Sequence, residues 1–111
     1  MTNQQTAPLA ATGQLFSPLE GGVYPNPVRV SLQYNNSDRP PGNRQAMADT
    51  YGIQGDVTPS PAIFTGTSAS FDMNLTPGPY FTNVRARVFS FPTTDWVTCG
   101  QANFYVRTPP E

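Results

Sequence analysis

Val28-Arg29-Val30-Ser31-Leu32-Gln33-Tyr34 alternates apolar and polar side chains without a break. Successive side chains of an extended chain point to opposite faces, so this run predicts a strand that buries Val28, Val30, Leu32 and Tyr34 and wets the residues between them. The same period of two returns along the chain. Residues 70–75 set Phe71, Met73 and Leu75 against Asp72 and Asn74, and residues 80–91 set Val84, Ala86 and Val88 against Arg85, Arg87 and Phe89. Ala102, Phe104 and Val106 alternate with Asn103, Tyr105 and Arg107, and a weaker strand over residues 45–54 carries Met47, Tyr51 and Ile53 on the parity of Asp49. Short edge segments are expected at Leu15-Phe16-Ser17, Val23-Tyr24 and Ile63-Phe64. No useful window shows helical periodicity free of proline and glycine, and an all-β fold follows.

Turn formers separate these runs. Residues 35–44, from Asn-Asn-Ser-Asp through Pro-Pro-Gly-Asn-Arg, read as one surface loop, and Thr76-Pro77-Gly78-Pro79 and Pro92-Thr93-Thr94-Asp95 read as reversals. Residues 1–13 are small and polar and predict a flexible N-terminal arm. The expected organisation is therefore an arm over 1–13, one sandwich over 14–107 and a short tail over 108–111.

Composition excludes more than it identifies. The chain has 111 residues, room for one hydrophobic core, and only 12% of them are charged. It has no histidine, no lysine and a single cysteine, Cys99. A thiol without an imidazole lacks the usual base for nucleophilic catalysis and the partners for a zinc tetrahedron. No enzyme, cofactor or metal is expected, and one cysteine closes no internal disulfide. The scattered aspartates form no calcium loop, although Asp49, Asp56 and Asp72 are free to converge in space. A formal charge of -1 gives no overall attraction to nucleic acid or anionic lipid. The first residues show neither a basic nor an apolar leader region, and no segment is long and apolar enough for a membrane span.

Leu15-Phe16-Ser17-Pro18-Leu19-Glu20-Gly21-Gly22-Val23-Tyr24, followed by Pro27-Val28-Arg29-Val30-Ser31-Leu32, resembles the opening of bacterial and phage immunoglobulin-like domains. Gly78-Pro79-Tyr80 leading into Val84–Val88, and then residues 102–106, are similar to the last two strands of such domains. The resemblance covers roughly residues 14–107 and implies an immunoglobulin-like Greek-key β-sandwich of about seven strands. The paired cysteines of antibody domains are absent, and Trp96 stands near the end rather than on a central strand.

A lone domain of this kind without an export signal is similar to phage head-decoration or tail-accessory proteins. The resemblance implies a non-enzymatic virion structural protein, made in the host cytoplasm, whose partner is a capsid or tail protein of the same bacteriophage particle. Homo-oligomers are compatible with that role. The candidate contact residues are Arg85, Arg87, Phe89, Trp96, Tyr105 and Arg107, because guanidiniums and exposed aromatics on adjacent strands suit carboxylates, sugars or a protein surface. Residues 1–16 are the expected docking segment. The alternative is a bacterial extracellular carbohydrate-binding or adhesion module that stacks surface glycans on Trp96, Tyr105 and Tyr51.

Overall fold

The computed structural model describes residues 11–40 and 42–109. Among them the chain forms nine strands and no helix: β1 (Ala11–Ser17), β2 (Gly22–Tyr24), β3 (Val28–Asn36), β4 (Arg44–Gly52), β5 (Gly55–Asp56), β6 (Ala62–Phe64), β7 (Ser68–Met73), β8 (Gly78–Val88) and β9 (Val97–Val106). The resemblance implies about seven; of the nine, β2, β5 and β6 are only two or three residues long.

The strands divide into two sheets. One has the order β1-β3-β7, and the other β2-β9-β8-β4-β5, with β6 also paired to β4. All pairings are antiparallel except that of β2, which runs parallel to β9 through Gly22–Phe104, Val23–Tyr105 and Tyr24–Val106. The layers form a β-sandwich whose core draws Val28, Val30, Leu32, Tyr34 and Met73 from one sheet and Ala46, Ala48, Val84, Ala86, Phe104 and Val106 from the other. Phe104 ties three strands together, with Tyr80 stacked 5.7 Å away and Tyr24 set edge-on at 6.1 Å.

β3, β7, β8 and β9 bury the parities that alternation predicts. β4 carries its larger apolar side chains outward. Arg44, Ala46, Ala48 and Thr50 face the core, while Met47, Asp49 and Tyr51 face outward. Small side chains are required there because bulky Tyr34, Leu32 and Met73 fill the opposite layer, and interiors close-pack at fixed volume.

Several boundaries move. Ala11, Thr12 and Gly13, expected in the arm, pair with Asn36, Asn35 and Tyr34 as the start of β1. The expected docking segment 1–16 is therefore split: residues 11–16 belong to the sandwich, and 1–10 lie outside the described residues. The loop expected over 35–44 loses Asn35 and Asn36 to β3 and Arg44 to β4, where Arg44 is 2% exposed. β8 starts earlier, at Gly78, and stops at Val88, and β9 begins at Val97 rather than near Ala102.

β1 leans on β9 and closes one side of the sandwich, an approach that depends on two glycines. A Cβ on Gly100 would lie 2.6 Å from the Leu15 Cβ, and one on Gly13 would lie 2.5 Å from the Cys99 Sγ. Cys99 is the extra residue where the β8–β9 register shifts between Val84 and Arg85. It is half-buried, and that burial pushes its thiol up to about 11.

Candidate contact face

The two outer faces of the sandwich differ sharply in chemistry. On the three-stranded sheet the outward positions are Thr12, Gln14, Arg29, Ser31, Gln33, Ser68, Ser70 and Asp72, with Phe16 the one large apolar side chain. On the larger sheet Gln45, Asp49, Asn83, Gln101 and Asn103 point outward together with Met47, Tyr51, Ile63, Phe81, Arg85, Arg87 and Tyr105. Ile63 is 53% exposed and Tyr105 46%. Just past the end of β4, Ile53 is 85% exposed.

The loop after β8 sets the most structured part of this face. Thr94 bonds back to the last residue of the strand: its hydroxyl accepts from the Val88 N–H at 2.9 Å and its N–H donates to the Val88 carbonyl at 3.3 Å. The reversal brings Trp96 over the sheet. The guanidinium of Arg87 lies 4.4 Å from the Trp96 ring centroid and that of Arg85 5.3 Å. Arg85 donates to the Asp49 carboxylate on β4, while Arg87 donates through Nε to the Gln45 amide oxygen at 3.0 Å. One cation is thus neutralised by a neighbouring acid, and the other meets only a neutral amide and an aromatic ring. Among the described residues Arg87 has no ion pair.

Of the six residues expected as a single contact strip, the structure brings together Arg85, Arg87 and Trp96. Phe89 follows just beyond the end of β8 and is partly exposed, with Phe91 in the loop 96% exposed. Tyr105 shares the face but stands opposite Pro79, six residues along β8 from Arg85, roughly 20 Å away at strand rise. Arg107 lies past the end of β9, donating its N–H to the Tyr24 carbonyl and lining a cleft with Asn26, Leu75 and Pro77. The continuous strip therefore becomes two separate groups, because Arg85 and Tyr105 sit near opposite ends of the antiparallel pair.

The face also holds residues that sequence reading did not select. Gln45, Asp49, Phe81 and Ile63 join it through register, and their outward parity follows only once β4 is known to bury its alanines. Asp56 joins through β5, opposite Tyr51. Hydrogen bonds from the Thr58 side chain and N–H hold the Asp56 carboxyl below its ordinary range.

Asp49, Asp56 and Asp72 do not converge: Asp49 pairs with Arg85, Asp72 with Arg29 on the other sheet at 2.8 Å, and Asp56 stands apart on β5. No group of three histidine, cysteine or acidic side chains among the described residues is placed to hold a metal. No described helix is long and apolar enough to cross a membrane.

No protein-family model matches the chain, and no curated protein matches it. The fold and the face define a β-sandwich with one polar exterior and one on which exposed aromatic and aliphatic side chains stand among polar and charged ones.

Proposed function

We propose that this chain is a non-enzymatic structural protein of a bacteriophage particle, an immunoglobulin-like Greek-key sandwich that assembles on the capsid or tail surface. The reading of the fold is supported by strand order: the first strand pairs with the third, the third with the seventh, and the short second strand crosses to the opposite sheet beside β9. It is also supported by Tyr80. This residue stands near the start of β8 and donates its hydroxyl to the Thr76 carbonyl four residues upstream at 2.8 Å, the arrangement of a tyrosine corner. Thr82 occupies the position two residues later, where antibody domains place a cysteine.

The observation that carries the functional reading is the contrast between the two exteriors. Exposed apolar and aromatic side chains among the polar ones of a sheet face are costly to leave in water, and Trp, Tyr and Arg are the side chains that dominate protein contacts. The phage assignment rests on the resemblance of residues 15–32 and 78–106 to bacterial and phage immunoglobulin-like domains, and on the similarity of a lone domain of this kind to phage head-decoration or tail-accessory proteins. Binding of this kind stabilises an assembly by mass action and needs no reactive group.

Particles purified from cells that produce the chain, banded on a density gradient, are expected to carry it in the particle fraction. Its confinement to free protein overturns the virion reading. Retardation in a polysaccharide gel, abolished by Trp96→Ala, would instead favour the glycan-binding module.

A further inference from the structure

The contact face carries two isolated charges of opposite sign. Arg87, on β8, stands opposite Gln45 of β4, and Asp56, on β5, stands opposite Tyr51 of the same strand. They therefore flank β4 on opposite sides and toward opposite ends, about 20 Å apart along it at strand rise. Neither has an ion pair among the described residues. Midway between them on the outer side of β4 are Met47 and Asp49, the latter already neutralised by Arg85.

We propose that the occupant of this face is a second copy of the same chain, packed sheet to sheet about a twofold axis that passes over Met47 and Asp49. The proposal rests on the reading of this sheet as a contact surface and names its partner. An axis oblique to the strands through that midpoint carries Arg87 of each copy onto Asp56 of the other, so both lone charges are paired twice by one operation. Self-complementarity of this kind is what an isologous interface requires. Apolar groups lie toward both ends of the face: Phe89 follows Arg87 along the chain, Ile63 lies across β4 from it, Tyr51 stands opposite Asp56 with Ile53 in the turn beyond, and Met47 lies close to the axis.

β4, β8 and β9 are each about 30 Å or more of strand, and with the short β2, β5 and β6 beside them at about 4.8 Å spacing they make a face of roughly 600 Å². That is the lower end of the roughly 600–1,000 Å² that a stable interface takes from each partner. Arg87 is also held ready, with Gln45 fixing its Nε and the Trp96 ring against its plane, so little side-chain freedom is lost on pairing.

Sedimentation velocity of the full chain at increasing concentration is expected to show a reversible dimer. Arg87→Glu and Asp56→Arg should each raise its dissociation constant by at least about 30-fold, and the two together in one chain should restore it. Ile53→Lys, at a side chain too exposed to support the fold, should weaken the dimer equally, with an unchanged circular-dichroism melt. A chain that stays monomeric at every concentration, a dimer indifferent to these changes, or single reversals that the double variant fails to rescue overturns the proposal. A monomer that still bands with particles removes the dimer alone, whereas a dimer absent from particles removes the virion reading alone.

Discussion

The guanidinium of Arg44 lies 5.1 Å from the centroid of the Tyr34 ring and donates through Nη1 to the Tyr34 carbonyl at 3.1 Å. The same nitrogen donates to the Gly66 carbonyl at 2.6 Å. A buried cation is therefore held by backbone carbonyls and an aromatic face. Arg44→Ala removes these donors, strands two carbonyls and opens a cavity beside Tyr34. The expected loss is about 3 kcal/mol, measured by urea unfolding. A loss below about 1 kcal/mol would mean that water reaches the carbonyls.

Thr50 and Thr82 meet across β4 and β8 with their hydroxyl oxygens 2.9 Å apart, both fully buried. Thr50 also bonds to the Ala48 carbonyl at 2.9 Å, so when it donates there, Thr82 donates to Thr50. Each substitution to valine should cost about 1 kcal/mol, and the double variant should cost less than the sum by a similar amount. Additive losses in a double-mutant cycle would show that the hydroxyls are not coupled.

Gly100→Ala drives a methyl group into Leu15 and should lift β1 from β9. Overpacking of this kind costs about 1–3 kcal/mol. Leu15→Gly removes the Cβ that the new methyl meets, so the pair should lose less than the two changes taken separately. Thermal unfolding of the four proteins tests this relation.

Cys99 keeps its proton to unusually high pH. Its folded value of about 11 lies above the ordinary 9.0 because burial disfavours the thiolate. The folded chain therefore holds a proton that the unfolded chain releases between pH 9 and about 11. Since stability falls wherever the native state binds more protons, this thiol leaves stability undiminished below pH 9 and lowers it progressively as pH rises toward the folded value. Cys99→Ala should flatten that alkaline decline. At pH 8 an aromatic disulfide reagent should label the native thiol far more slowly than the urea-unfolded one, and equal rates would contradict the burial.

Much of this architecture is legible before folding, in places where one face is wet and the other dry. β3 is the clearest case: Val28, Val30, Leu32 and Tyr34 are all buried, as their spacing requires. β4 misleads because its large apolar side chains lie on the exposed side and its core side is alanine, threonine and an arginine. Alternation reports that two faces exist, and packing volume across the sandwich decides which one is inside. The start of β1 is hidden for a related reason: Thr12 and the small Ala11 and Gly13 resemble an arm until Asn36, Asn35 and Tyr34 are seen beside them.

The candidate contact face divides along the same line. Arg85 and Arg87 declare their outward parity locally, but the turn at Thr94 brings Trp96 over them, and register across β4 supplies Asp49 to one and only Gln45 to the other. Sequence alone determined an all-β chain with a sparse reactive inventory, because period-two patterning and composition are properties of neighbouring residues. Tertiary structure decided which exterior carries most of the exposed aromatic and aliphatic side chains and which charges stand unpaired, because both depend on contacts between strands that lie far apart along the chain.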